Sequence, residues 1–455
     1  MEEHKFDVII IGTNLANSIL AAACSWEGQK VLHIDKNPFY GELDGSLALH
    51  DLLKLSDSCS SSNKFPFANF DSEYSKLRSI HVQVYNSEEL LAAKSISIQL
   101  IPRALFASGD LIKLLTRSHI YKYLELKPVY ASELYSYKKD WLSVPESRSD
   151  IFTNKILDLK SKRKVMRFVT FVLSSDQEPH AEILEQYYEQ PFKNLLSNHF
   201  GLSHELRECV IYGLCRSLRG DILTKDAITI IRKHIQSHGI YGNFSMLKAK
   251  YGTGSELCQA FCRSAAVMGA TYMLSQEVRG IGQNTVTLEN GEVFHAKVII
   301  DNKIEKGPSL FRIHQRCIVY KGDCRKLFKQ RDVFLNMESS HYSFSPASLD
   351  VTNDASVQCL IIGPQMGECP RDHTIWYLRT LESSNCDAAL LQAENLLLQR
   401  CDPEHPTRLM QMDIECDDTT LMDYDAAVLH AQSQFLDLFG SLDHFLVPEK
   451  EDEEE

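Results

Sequence analysis

No stretch of this 455-residue chain comes near the ~18–20 consecutive apolar residues that a membrane-spanning helix needs. Its opening, "MEEHKFDVIII", lacks the basic region and cleavage site of a secretory leader, so a cytosolic protein is expected. Basic residues are outnumbered: 48 Lys and Arg against 61 Asp and Glu leave a net charge of −13, which disfavours nonspecific nucleic-acid binding. The 13 cysteines are odd in number and fit no disulfide framework, so reduced, packed thiols are expected. Cys258 and Cys262 have no His–Cys cluster nearby, and His33, His234 and His238 show neither triad nor metal spacing. Neither a metal site nor a catalytic constellation is therefore expected. No period marks a repeat protein.

What is present is an ordinary globular composition, 44% hydrophobic and 24% charged, long enough for two or three domains. The first 40 residues read as strand, helix, strand: an apolar run from Val8 to Ile11, Gly12, a helical stretch, a second run from Val31 to Ile34, then Asp35. This is the opening of a dinucleotide-binding unit with its phosphate loop altered. A working loop reads G-x-G-x-x-G: one glycine for the turn, one to admit the pyrophosphate, one for close helix–strand packing. Here the six residues are Gly12-Thr13-Asn14-Leu15-Ala16-Asn17. Asn14 tolerates a left-handed backbone, so the turn can survive, but its side chain occupies phosphate space and Asn17 adds bulk at the packing position. Asp35 sits where a ribose-binding acid would. No bound FAD or NAD is expected.

Further along, residues 51–75 are polar and turn-rich and read as a surface loop. From about 112 to 238 apolar residues recur at three- and four-residue spacing, as in "KRKVMRFVTFVL" and "LRECVIYGLCRSL", which predicts a helical block. A glycine-bounded loop follows (239–254), then a helix over 256–268, strands with an Asn290-Gly291 hairpin signal, and a last helix in "DAAVLHAQSQFLDLF". The tail "EKEDEEE" holds six acids and one lysine, so −5 of the −13 sits there, as in a solvated end. The fold class is thus α/β. An FAD/NAD(P)-binding-like main domain, in two pieces (1–111 and 239–445), carries an all-helical insertion (112–238), with an acidic tail at 446–455.

In "SELCQAFCRSAAVMGATYML", Glu256, Gln259 and Arg263 are three and four residues apart and fall along one helix stripe. Leu257, Phe261 and Met268 lie at opposite phases and suit the core. Alone, such a stripe reads as a solvated polar face.

The segments "DVIIIGT", "KVLHIDKNPFYG", "QLIPRALFASGDLIKLL", "YGTGSELCQAFCRSAAVMGATYML", "VIID" and "DYDAAVLHA" resemble the Rab GDP-dissociation inhibitor and escort protein superfamily over nearly the whole chain. "ILAAACS" and "SVPESRSDIFTNKILDLKSKRKVMRFVTF" look more like escort proteins, although the chain is shorter than their animal members. The resemblance implies a GDI-like fold and a non-catalytic accessory subunit. Its partners would be GDP-bound Rab GTPases, the Rab geranylgeranyltransferase heterodimer, the geranylgeranyl lipid and, transiently, a membrane. It implies a Rab-binding platform at Tyr40, Glu256, Gln259, Arg263, Thr271, Tyr272 and Met273, a mobile loop with Tyr241 and Tyr251, and transferase docking near Phe171. The apolar stripes of "MRFVTFVL" and "CVIYGLC" would suit a lipid groove or, equally, ordinary core. Two departures from the family pattern stand out: Glu42 follows Gly41 where a second glycine is usual, and Ser255 is an extra residue before Glu256. A recycling Rab inhibitor and a flavin oxidoreductase are the alternative readings.

Overall fold

The computed structural model describes residues 4–51, 77–93, 95–153, 157–301, 311–328, 339–401, 406–418 and 423–448. The polar loop read at 51–75 and the acidic tail fall almost wholly outside these. The opening strand–helix–strand forms as the sequence pattern requires. Lys5–Ile11 and Val31–Ile34 are parallel strands, joined through the helix Leu15–Trp26, whose residues 15 and 17–25 are buried. Residues from the far end of the chain complete this sheet. Thr271–Met273 lies parallel to Val31–Ile34, and Val293–Asp301 lies parallel to Lys5–Ile11. Thr285–Leu288 and Val278–Ile281 follow as antiparallel neighbours. The Asn290-Gly291 turn links two of these strands, with Gly291 at φ +88°, the left-handed region that glycine accepts freely.

The helices Leu15–Trp26, Thr253–Val267 and Asp425–Phe439 pack together in one core containing Ile19, Leu20, Leu257, Phe261, Val428 and Phe435. A second, larger sheet runs in the order 77–84, 407–418, 311–321, 373–381, 357–362, 339–344, 126–135, 246–249, 105–106. It is antiparallel except where Ser339–Phe344 meets Leu126–Tyr135.

That last strand departs from the sequence pattern. Leu126–Tyr135 and Trp141–Ser143 lie within the block read as helical from 112 onward. "LKPVYASELY" carries Pro128 and a mix of valine and tyrosine, and pairing on both sides fixes it as strand. Continuous helical structure begins only at Arg148 and includes Leu159–Leu173, His180–Tyr187 and Thr224–Ser237, with π-helical turns at Leu195–His199 and Cys209–Leu214. Asp158 caps Leu159–Leu173 by accepting from Ser161 N at 2.8 Å. That helix buries Val165, Phe168, Val169, Phe171 and Val172 against Phe192, Leu195, Phe200 and Val210. The two apolar stripes are thus core in this structure. The twelve described cysteines are all buried, as packed thiols should be.

Candidate functional site

The altered phosphate loop is tightly hydrogen-bonded. Gly12 has φ +88°, and a Cβ there would stand 2.0 Å from Glu42 Oε1. Asn14 is not left-handed, as its residue type allowed; at φ −57°, ψ 167° it caps the helix, its Oδ1 accepting from Asn17 N at 3.1 Å. Asn17 is not a wedge either. It is fully buried, and its amide donates to the carbonyls of Ile11 (3.0 Å) and Gly12 (2.9 Å), tying strand end to helix start.

The donors that would face a pyrophosphate are taken by the chain's own acids. Thr13 N and its hydroxyl both donate to Asp35 Oδ2, the former at 2.8 Å, and Asn37 N donates to Asp35 Oδ1 at 2.8 Å. Leu15 N, in the first turn of the helix, donates to Asp44 Oδ2 at 3.2 Å. Asp44 in turn pairs with Arg103 at 2.9 Å, and Arg103 pairs with Asp418 at 2.7 Å. Burial first, and then the charge of Asp35, push the Glu42 carboxyl up to about 8; Asp44 adds a smaller push, while Asn14 and Lys36 pull the other way. Burial also raises Asp35, against its three donors. Backbone donors of the kind a diphosphate would need, Thr13 N and Leu15 N, are thus already engaged by Asp35 and Asp44.

The same segment carries Tyr40 to the neighbouring cleft. Gly41 N donates to Thr13 Oγ1 at 3.0 Å, and Gly41 (φ +105°) and Glu42 (φ +49°) turn the chain back. Glu42 adopts here the left-handed backbone that a glycine takes more cheaply. A Cβ on Gly254 would lie 2.1 Å from Asp44 O, so only glycine lets the helix Thr253–Val267 start this close to the loop.

A cleft of about 300 Å³ opens beside that helix, lined by Tyr40, Glu256, Gln259, Arg263 and Tyr272, and also by Tyr123. Five of the seven platform residues named from the sequence therefore meet at one place. Thr271 and Met273 do not line it: alternation along Thr271–Met273 turns them to the other face from Tyr272, and Met273 packs with the core around Ile34. Tyr40 and Tyr272 meet edge to face at 6.0 Å, and Tyr272 lies 5.2 Å from His33. His33 is fully buried and holds Gly12 O at 2.7 Å through Nε2; burial lowers its pKa to about 4, so it is a neutral structural donor. Burial raises the Glu256 carboxyl, and among the described residues no cation offsets it. Ser255, the extra residue, continues the helix, its Oγ accepting from Gln259 Nε2 at 2.9 Å.

Three other sequence readings change. Met268 is 51% exposed instead of core, because the helix ends at Val267 and Gly269 turns the chain at φ +98°. Phe171 is 1% exposed, enclosed by Phe200 at 5.2 Å and His180 at 5.3 Å, and so cannot be a surface docking contact in this conformation. Tyr241 and Tyr251 are both exposed, but Tyr251 is anchored: its N donates to Met366 O at 2.7 Å and its ring lies against Gly367. Tyr123 was not foreseen; nothing in "IYKYLEL" distinguishes it. His314, Asp387 and Asp413 come close enough to hold a cation, but Arg316 already donates to both aspartates at 2.7 Å, making an ion-pair cluster.

The profile of the GDP dissociation inhibitor family matches residues 1–318. The chain belongs to that family. It is 41% identical to an uncharacterized Rab geranylgeranyltransferase of Schizosaccharomyces pombe over 98% of this chain and 97% of that protein. It is 30% identical to the Rab proteins geranylgeranyltransferase component A of Saccharomyces cerevisiae, spanning 87% of this chain but 65% of that longer protein. Rab escort protein 1 of Arabidopsis thaliana is 29% identical over 89% of this chain and 82% of its own length. Among solved structures, a Rab GDI from Plasmodium falciparum shares the fold with a TM-score of 0.68 at 18% identity, covering 96% of this chain and 99% of that one. The fold is thus the GDI-like α/β frame. Among the described residues no helix is long and apolar enough to cross a membrane.

Proposed function

We propose that this GDI-family chain is a Rab escort protein: a non-catalytic subunit that binds GDP-bound Rab and presents it to Rab geranylgeranyltransferase. It then delivers the prenylated Rab to membranes, shielding a geranylgeranyl chain whose exposure costs roughly 0.8 kcal/mol per CH₂. The observation that carries this reading is the convergence of Tyr40, Glu256, Gln259, Arg263 and Tyr272 on one cleft. Tyrosine and arginine are the residues that most often anchor protein interfaces, and a partly buried carboxylate beside them can select a basic partner group. The names of the relatives favour escort over inhibitor. The protein is expected to hold no flavin or NAD, since Asp35, Glu42 and Asp44 fill the cradle.

The test is a reconstituted prenylation reaction with Rab, transferase and geranylgeranyl donor. Adding this protein should raise the rate at which Rab is modified. No stimulation, combined with binding confined to already prenylated Rab, would instead make it a recycling inhibitor. That reading has the description of the family profile in its favour.

A further inference from the structure

One wall of the cleft comes from outside the platform motifs. Tyr123 ends the short helix Ile120–Tyr123, distant in sequence from Thr253–Val267, yet it lines the same cavity as Tyr40, Glu256 and Arg263. Its base is fixed by Ile120, which is buried in the main core, and by Leu124 N donating to Tyr121 O at 2.9 Å. Its own side is open: Tyr123 is 40% exposed. The guanidinium carbon of Arg263 sits 4.9 Å from the Tyr123 ring centroid, within the ~6 Å reach of a cation–π contact. A long arginine on an exposed helix face normally spreads over many rotamers. Stacked on an anchored ring, it is held where a partner would meet it, and less entropy is lost on binding.

We propose that Tyr123 is a partner-contacting residue of this cleft and the surface on which Arg263 is positioned, so that a GTPase meets a tyrosine–arginine pair. This rests on the GTPase-binding reading above. The two ends of the cleft then differ in chemistry. Glu256, without a cation among the described residues, takes a basic side chain, while the Tyr123–Arg263 end takes an acidic side chain with an apolar neighbour. The matching partner surface carries a base and an acid flanking an apolar residue.

The experiment measures the Kd of a GDP-loaded Rab GTPase for the full chain and for Tyr123→Phe, Tyr123→Leu, Arg263→Ala and the Tyr123→Leu/Arg263→Ala double variant, with thermal midpoints recorded for each. Tyr123→Phe keeps the ring face and should bind within about twofold of the parent. Tyr123→Leu keeps apolar bulk without the ring, and should weaken binding by roughly five- to thirtyfold at an unchanged midpoint. The double variant should be much less than additive, because both changes remove one shared pair. Tyr123→Leu binding like the parent, additive losses, or equal losses in Phe and Leu variants with falling midpoints would each overturn the assignment. A parent chain that fails to bind Rab at all would remove the GTPase reading and the assignment with it. Parental binding with an unaffected leucine variant would remove the assignment alone.

Discussion

Replacing Glu42 by Gln should change how stability depends on pH. In the folded chain burial and the neighbouring Asp35 raise the Glu42 carboxyl from 4.5 to about 8. It therefore stays protonated at neutral pH, while in the unfolded chain it ionises. The favourable contribution of the protonated form is complete below the unfolded value. It is lost steadily as pH rises from about 4.5 to about 8, and no further change follows above that. At 1.36 kcal/mol per pKa unit the full gap is roughly 5 kcal/mol. Glu42 as a whole residue is only partly buried, and screening leaves roughly 2–5 kcal/mol. Glutamine has the same shape and no titration, so its stability relative to the parent should climb across this window and then level off. Urea unfolding of both proteins at pH 5, 6, 7, 8 and 9 reads the difference directly, because groups common to both cancel. A difference that stays flat with pH, or runs the other way, would refute the assignment of a protonated Glu42 beside Asp35.

Truncating Phe171 to alanine should cost about 3–5 kcal/mol of stability, as for a fully buried phenylalanine; a lowered denaturant midpoint would accompany any loss of transferase binding, and a selective loss at unchanged midpoint would contradict its burial. Asn17→Ala removes two buried donors from the Ile11 and Gly12 carbonyls and should cost about 1–3 kcal/mol, measured by the same unfolding curves. Arg263 is exposed, so Arg263→Ala should leave the thermal midpoint within a degree or two while weakening Rab binding roughly tenfold in a titration; equal affinity would place the interface elsewhere.

The parts of the molecule legible in the sequence are those where periodicity meets burial. The runs at Val8–Ile11 and Val31–Ile34 are apolar because both faces of that parallel sheet are covered, and the three- and four-residue spacing of Glu256, Gln259 and Arg263 survives as a shared wall. The strand Leu126–Tyr135 was illegible because its residues carry no clean alternation, and pairing with two distant strands decides its conformation. Tyr123 was illegible for a similar reason: its role depends on a helix more than a hundred positions away. The end of the platform helix turned on Gly269, whose neighbours Val267 and Met268 are apolar by type and solvent-facing by position.

The loop at Gly12 teaches something different, because glycine duties weigh volume and neglect hydrogen-bonding capacity. Removing a dinucleotide from such a frame leaves the first backbone N–H groups of a helix unsatisfied at its positive end, which costs free energy if they stay buried. This chain meets that cost internally. Asp35 accepts from Thr13, Asp44 accepts from Leu15, and the two asparagines cap and tie the turn. Asp44 belongs to the loop bearing Tyr40, so satisfying the helix start also helps fix where Tyr40 stands. On the proposed reading, an acid in place of a cofactor anion and the positioning of Tyr40 are then one structural feature. It follows that changing Asp44 to alanine should do two things together: orphan Leu15 N and leave Arg103 with Asp418 alone, lowering the unfolding free energy by roughly 1–3 kcal/mol, and loosen Tyr40, weakening Rab binding. Instability without any loss of affinity in the fraction that remains folded would separate the two roles and defeat the link between them.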